Sequence, residues 1–231
     1  MLRTVQATRY VTPLREGGSL PAIVEADDLG LYVVKFRGAG QGPLALVAEL
    51  MGGEIGRALG LPVPEIVFVE IDAALGRNEP DYEIRELLSR SVGLNLALDY
   101  LPGSVMFDPA ASDRSDPELA SRAVWFDAFI TNIDRTARNP NLLCWHKNLY
   151  LIDHGAALYF HHNWGDIETA AASPFAPIRN HILLPWAGGI EEADRVSRAL
   201  LKKDVLSRVV NSVPDPWLLP VPGLEDPEQK R

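Results

Sequence analysis

The sequence predicts a two-lobed α+β fold, and three observations predict it. Strand patterns crowd the first hundred residues, helix patterns dominate the second half, and Pro102-Gly103 marks the change of character. Strands and helices segregated along a chain argue for α+β rather than an alternating α/β sheet. The 231 residues, 47% of them apolar, are enough for one large domain or two small lobes. The expected division is a first lobe over residues 1–102, a second over 103–213 and a Pro-rich tail over 214–231. That tail is expected to be ordered only in part.

Each element has a local reason. Residues 10–14 are β-compatible and are broken by Gly17-Gly18-Ser19. Residues 22–26 and 31–36 are rich in apolar and β-branched side chains and flank Asp27-Asp28-Leu29-Gly30, a hairpin signal. A Gly-rich connection over 38–43 leads into a helical run over 44–59. There Leu46, Val47, Leu50, Met51 and Ile55 recur at spacings of three and four, which is one helix face. Gly60 stands where a C′ glycine is expected, and Pro62 and Pro64 forbid continuation. Residues 65–71 and 94–101 read as strands. Beyond Pro102-Gly103, residues 117–130 read as a helix with acids near its start. A loop rich in Asn, Asp and Arg follows, then a hairpin over 142–145 and 149–152, then helix over 190–213.

Composition excludes several function classes. A formal net charge of −9 repels a phosphate backbone, so nucleic acid is not the expected partner. The single cysteine, Cys144, forms no internal disulfide and no Cys₂ or Cys₄ zinc site, which fits a reducing cytoplasm. The N-terminus shows no apolar leader. No apolar stretch approaches the roughly 20 residues that span a bilayer, so no membrane partner is expected.

Three features carry chemistry. Lys35 sits within the strand run 31–36 and alternates to one face; an edge-strand or solvent-facing lysine is the alternative. In the loop 131–143, Asp134 is followed five residues later by Asn139 and then by an apolar strand, the spacing of a kinase catalytic loop. The carboxylate accepts or orients the proton of an attacking hydroxyl, and the amide oxygen is a neutral ligand for Mg²⁺. A polar turn held by Asx caps explains the same residues more simply. Finally, a strand delivers Asp153 immediately before His154-Gly155, where an acid holds Mg²⁺ against nucleotide phosphates or merely ends a strand. Their joint order is that of phosphoryl-transfer machinery.

With these residues in place, residues 32–64 resemble the nucleotide-binding lobe of the HipA-like kinases. The strand lysine is followed by a helix bearing a glutamate and then by Gly60-Leu61-Pro62-Val63-Pro64. Counting back from Gly60 places that glutamate at Glu49 rather than Glu54. Residues 125–157 resemble the catalytic and metal loops of the same family, and those of phosphoinositide-type kinases. The resemblance covers roughly residues 10–190. It implies a protein-kinase-like fold with a strand-rich first lobe and a helical second lobe. It further implies ATP and Mg²⁺ as cofactors, Glu49 paired to Lys35 against the α/β-phosphates, Asp134 as catalytic acid/base, and Asn139 and Asp153 as metal ligands. Asn141 rivals Asn139 because it directly precedes Leu142-Leu143; the five-residue spacing favours Asn139.

The departures are equally specific. No Gly-x-Gly-x-x-Gly precedes Lys35, and Gly17, Gly18 and Ser19 are the candidate phosphate loop, with Ser19 a candidate self-phosphorylation site; a plain turn is the alternative. Asn132-Ile133 stands before Asp134 instead of His-Arg, and His154 replaces the phenylalanine of Asp-Phe-Gly. The chain is about half the length of the full toxin-type kinases of the family. Asp99, Tyr100 and Leu101 are the candidate hinge, whose backbone would meet adenine. His161 and His162 are adjacent and point to opposite faces, a poor metal pair. His181 reads as structural or solvent-facing. Arg135 and Arg138 read either as phosphate contacts or as solvated arginines, and Cys144 as buried filler.

The implied activity is transfer of the ATP γ-phosphoryl group to a hydroxyl, with Ser or Thr of a protein substrate as acceptor. The alternatives are a nucleotide-binding module without turnover and a phosphoinositide or small-molecule kinase.

Overall fold

Short β-branched and apolar runs in the first hundred residues pair into a closed barrel, because their alternation puts one apolar face inward on every strand. The computed structural model describes residues 2–14, 20–40, 42–77, 79–111, 113–158 and 167–218. The chain divides into two units. The first comprises the described parts of Met1–Leu50, Pro64–Pro102 and Ser212–Arg231; the second comprises Met51–Val63 and the described parts of Gly103–Asn211.

In the first unit, β1 (Thr4–Pro13), β2 (Ala22–Ala26), β3 (Leu31–Lys35), β4 (Ile66–Ile71) and β5 (Gly93–Asp99) close in the order β1-β2-β3-β5-β4. Four of the five junctions are antiparallel, and β1 meets β4 in parallel. Val24, Tyr32, Val34, Val67, Val69 and Ala97 fill its interior at 2% exposure or less. The turn predicted between β2 and β3 forms at Asp27-Asp28, with Asp28 accepting the Gly30 N–H at 3.0 Å. Helix α1 (Pro43–Ala58) begins in this unit, and α2 (Tyr82–Arg90) lays Ile84 and Leu88 on the barrel core.

The sequence reading misses α2, although Asp81 caps it by accepting the N–H groups of Glu83 and Ile84. It also begins β1 six residues late. Part of the stretch read as tail belongs to the barrel unit: Trp217 is fully buried, meets Phe68 edge-to-face at 5.6 Å and donates to the Leu94 carbonyl at 3.0 Å.

The second unit holds the rest of α1, α3 (Pro117–Phe129), α4 (Ile167–Ala172), α5 (Ile190–Leu200) and α6 (Lys203–Asn211). A small antiparallel sheet joins β6 (Val105–Met106), β7 (Leu142–Trp145) and β8 (Asn148–Leu151). The C′ glycine reading holds: Gly60 has φ +70°, the Leu61 N–H reaches the Gly56 carbonyl and the Gly60 N–H reaches that of Arg57, a Schellman end. The helical region expected over 190–213 is two helices. Among the described residues no helix is long and apolar enough to cross a membrane. The fold is thus mixed α+β, with a closed five-stranded barrel where a strand-rich lobe is expected.

Candidate active site

In β3 the inward positions are Tyr32 and Val34, so Lys35 must fall on the outer face. The strand lies between β2 and β5, which removes the edge-lysine alternative. Lys35 Nζ donates to Glu49 Oε2 at 2.5 Å, with the side chains 14% and 0% exposed. The rival Glu54 instead pairs with Arg57 at 2.7 Å. The segment after Lys35 is clamped by buried polar groups. Asn95 Oδ1 accepts the Arg37 N–H at 2.9 Å, and Ser91 Oγ accepts that of Gly38 at 3.1 Å. A Cβ at Gly38 would lie 2.6 Å from the Arg90 Cβ, so only glycine allows this approach.

At the candidate hinge, the Asp99 N–H already donates to the Glu65 carbonyl and the Tyr100 N–H to that of Leu31. These two donors are consumed by the barrel and are not offered to a ligand. Burial, then the nearby Glu65 carboxylate, pushes the Asp99 carboxyl up. Gly17, Gly18 and Ser19 lie outside the described residues, as do His161 and His162.

In the second unit α3 is capped at its C-terminus by Ile130, and the backbone turns sharply at Thr131, whose φ is +53°. A β-branched residue there is a conformational outlier, and the Thr131 hydroxyl is buried with no hydrogen bond among the described residues. Asn141 and Asp153 also adopt positive φ, +49° and +55°. These strained residues bracket the candidate loop. Asp134 Oδ2 accepts from Asn139 Nδ2 at 2.7 Å and more weakly from Asn141 Nδ2 at 3.4 Å. Both rival asparagines therefore stand beside Asp134, with Asn139 the closer. The Ile152 N–H donates to the Asn141 carbonyl at 3.0 Å, which places the residue before Asp153 against the end of the loop. Asn139 and Asp153 each carry a side-chain oxygen, the donor type a hard Mg²⁺ ion takes. Among the described residues no group of three or more His, Cys, Asp or Glu side chains gathers into a metal cluster.

Beneath the loop lies Asp127, in the last turn of α3 and fully buried. Arg135 Nε donates to its Oδ2 at 2.5 Å, His181 Nε2 to the same oxygen at 2.8 Å and Asn132 Nδ2 to its Oδ1 at 3.0 Å. The Leu183 N–H donates to His181 Nδ1 at 3.0 Å, so Nε2 is the nitrogen that carries a proton toward Asp127. Burial alone would raise the Asp127 carboxyl, but Arg135 and His181 outweigh it and hold it well below the usual carboxylate range. Arg135 is thus neither a phosphate contact nor a solvated arginine, while Arg138 is exposed. Asp127 escapes the sequence reading. The one signal for it is an acid flanked by Phe126 and Ala128 on an apolar helix, where burial of a charge demands a partner.

His154 is fully buried, and its ring meets Phe126 edge-to-face at 5.6 Å. It fills core space as an aromatic would. A Cβ at Gly52 would lie 2.7 Å from the His154 Cβ, a contact no rotamer change relieves. Gly52→Ala gains about 1 kcal/mol of helix propensity and meets about 1–3 kcal/mol of overpacking. The expected result is a melting temperature lowered by about 3 °C, read by calorimetry; an unchanged or raised value would refute the close-approach account. Burial and then Asp113 push the Cys144 thiol up, as for filler rather than a nucleophile.

Comparison with known proteins bears on this arrangement. No curated protein matches the chain. Among solved structures it is similar to the crystal structure of a Helicobacter pylori proinflammatory kinase, CtkA, at 15% identity and a TM-score of 0.54. The match covers 84% of this chain and 83% of that one, and at such low identity it speaks for the fold alone. The family model for HipA-like kinases matches residues 8–229, nearly the whole length. The chain belongs to the HipA-like kinase family.

Proposed function

We propose that this kinase transfers the γ-phosphoryl group of ATP to a hydroxyl of a protein Ser or Thr. The observation that carries the reading is the buried ion pair between Lys35 and Glu49 at 2.5 Å, since an amine held by a carboxylate is the device that fixes nucleotide phosphates in kinases. On this reading the strand-rich unit is the nucleotide lobe, roughly residues 1–102, and the helical unit the catalytic lobe, roughly 103–213.

Each residue then has a defined task. Lys35 binds the α- and β-phosphates, and Glu49 orients it. Asn139 and Asp153 supply oxygen ligands to Mg²⁺, and the Asp99–Leu101 backbone meets adenine through groups the barrel leaves over. When bound, Mg²⁺ neutralises charge developing on the phosphate oxygens. Asp134 keeps Oδ2 on Asn139 Nδ2, and its other oxygen takes the acceptor hydroxyl proton. The bond from the acceptor oxygen to phosphorus forms as the bond to the β,γ-bridging oxygen breaks, and ADP leaves.

A recess of about 490 Å³ beside the catalytic loop supports a protein acceptor. Ala137, Ile182, Leu184 and Trp186 line it, with Arg179 at its wall. Apolar walls suit a peptide side chain, whereas an inositol phosphate headgroup calls for several basic groups. The reading without turnover loses one of its two supports, because His154 sits in the core as a packing residue. The protein acceptor and the single cysteine fit a cytoplasmic setting.

The test is incubation with ATP and Mg²⁺ followed by mass spectrometry of the chain and of candidate protein substrates. A phosphate-sized mass gain on Ser or Thr, abolished by EDTA, is expected. Binding of Mg·ATP without any transfer would replace this reading with the silent module, and transfer to inositol lipids alone would replace the acceptor.

A further inference from the structure

We propose that Asp127 and Arg135 are positioning residues for phosphoryl transfer, a buried ion pair that sets the catalytic loop, the strand end before Asp153 and the wall of the acceptor recess in one register. The inference rests on the kinase reading of Asp134, Asn139 and Asp153.

The geometry is one of convergence. Arg135 follows Asp134 directly, yet its side chain turns away from solvent and is fully buried. One nitrogen, Nη1, donates both to the Asn141 carbonyl and to the Ile152 carbonyl, the latter at 3.0 Å. Those carbonyls belong to the residue that ends the loop and to the residue that precedes Asp153. A single guanidinium therefore ties Asp134, by its own backbone, to both segments. Asp127 supplies the compensating charge, without which a buried cation is not tolerated.

The same carboxylate reaches the other side of the loop. Asn132 donates to Asp127 Oδ1 through its side-chain Nδ2 and accepts the Asp134 N–H on its side-chain Oδ1 at 3.1 Å. His181 binds Asp127 Oδ2, and the Arg135 carbonyl accepts the Ile182 N–H at 3.1 Å. His181 and Ile182 line the recess beside Ala137. Every segment with a proposed role in this unit meets the Asp127–Arg135 pair within one or two bonds.

An ion pair kept merely for stability would be replaceable by any pair that folds equally well. A positioning pair would not, because a displacement of about 1 Å in reacting groups costs on the order of 10²-fold in rate. The planar fork serves Asp127 from Nε and two carbonyls from Nη1, a span that an ammonium, with all its donors on one atom, does not cover.

The experiment compares the full chain with Asp127→Asn/Arg135→Gln, which removes both buried charges together and keeps amide hydrogen bonding. Expected is a folded variant whose kcat falls on the order of 10²-fold while its KM for ATP stays near that of the parent. Amide exchange at Ile152 and Thr136 should quicken while exchange in the barrel strands stays unchanged. If the double variant does not fold, Arg135→Lys decides, because it retains the charge pair and loses the fork. A drop in kcat at constant KM is then expected. A folded variant with parental kcat overturns the proposal, as does parental kcat in Arg135→Lys. A parent chain that transfers no phosphate overturns the kinase reading instead, so the two failures are distinct.

Discussion

Asp134→Asn is expected to lower kcat by about 10²–10⁴-fold, the usual contribution of a positioned general base, and to leave Mg·ATP affinity little changed. The substitution is nearly isosteric. An asparagine oxygen still accepts from Asn139 Nδ2, which now lies 2.7 Å from Asp134 Oδ2. The atom presented to the acceptor becomes an NH₂ group, which cannot take a proton. The loop backbone has reason to stay in place, since Asn132 holds the N–H of residue 134 and Arg135 holds the segments around it. Single-turnover transfer from ATP and calorimetric titration of Mg·ATP separate the two effects. Full activity in the variant would remove Asp134 from the mechanism; loss of nucleotide binding would give it a structural task instead.

The second large effect is expected at the strand lysine. Lys35→Met takes the ammonium from a carboxylate that is wholly buried. Removing one partner of a buried ion pair costs about 3–5 kcal/mol, and the partial exposure of Lys35 favours the lower end. The melting temperature should fall by roughly 10 °C. Adding Glu49→Gln removes the buried charge, so Lys35→Met/Glu49→Gln should regain most of that loss. Turnover should remain absent in both variants. Unfolding of the two variants beside Glu49→Gln alone completes the cycle. If Lys35→Met unfolds like the parent chain, the pair is not the buried contact described.

The elements legible in the sequence were those whose causes are local. The β2–β3 hairpin announced itself by Asp27-Asp28-Leu29-Gly30, and α1 by its apolar spacing and its Gly60 end. The five-residue spacing favours Asn139 over Asn141, and in the structure both amides donate to Asp134, Asn139 at the shorter distance. By contrast, α2 is a polar nonapeptide whose buried residues, Ile84 and Leu88, matter only once a barrel lies beneath them. Strand β1 reads short because polar Gln6, Thr8 and Arg9 interrupt its few apolar residues, and its order comes from partners on β2 and β4. Trp217 looked like tail because its hydrogen-bond partner, the Leu94 carbonyl, lies far back in the chain.

By itself, the sequence determined the α+β order of elements, the helix end at Gly60 and the residue types a phosphoryl transfer needs, since periodicity, caps and spacing act over a few residues. Only the tertiary structure decided that Glu49, the partner the resemblance names for Lys35, is fully buried, that Arg135 turns inward, and that Asp127 gathers Asn132, Arg135 and His181. A charge can leave water only where opposite charge and hydrogen-bond donors wait for it, and for Asp127 they arrive from as far away in the chain as His181.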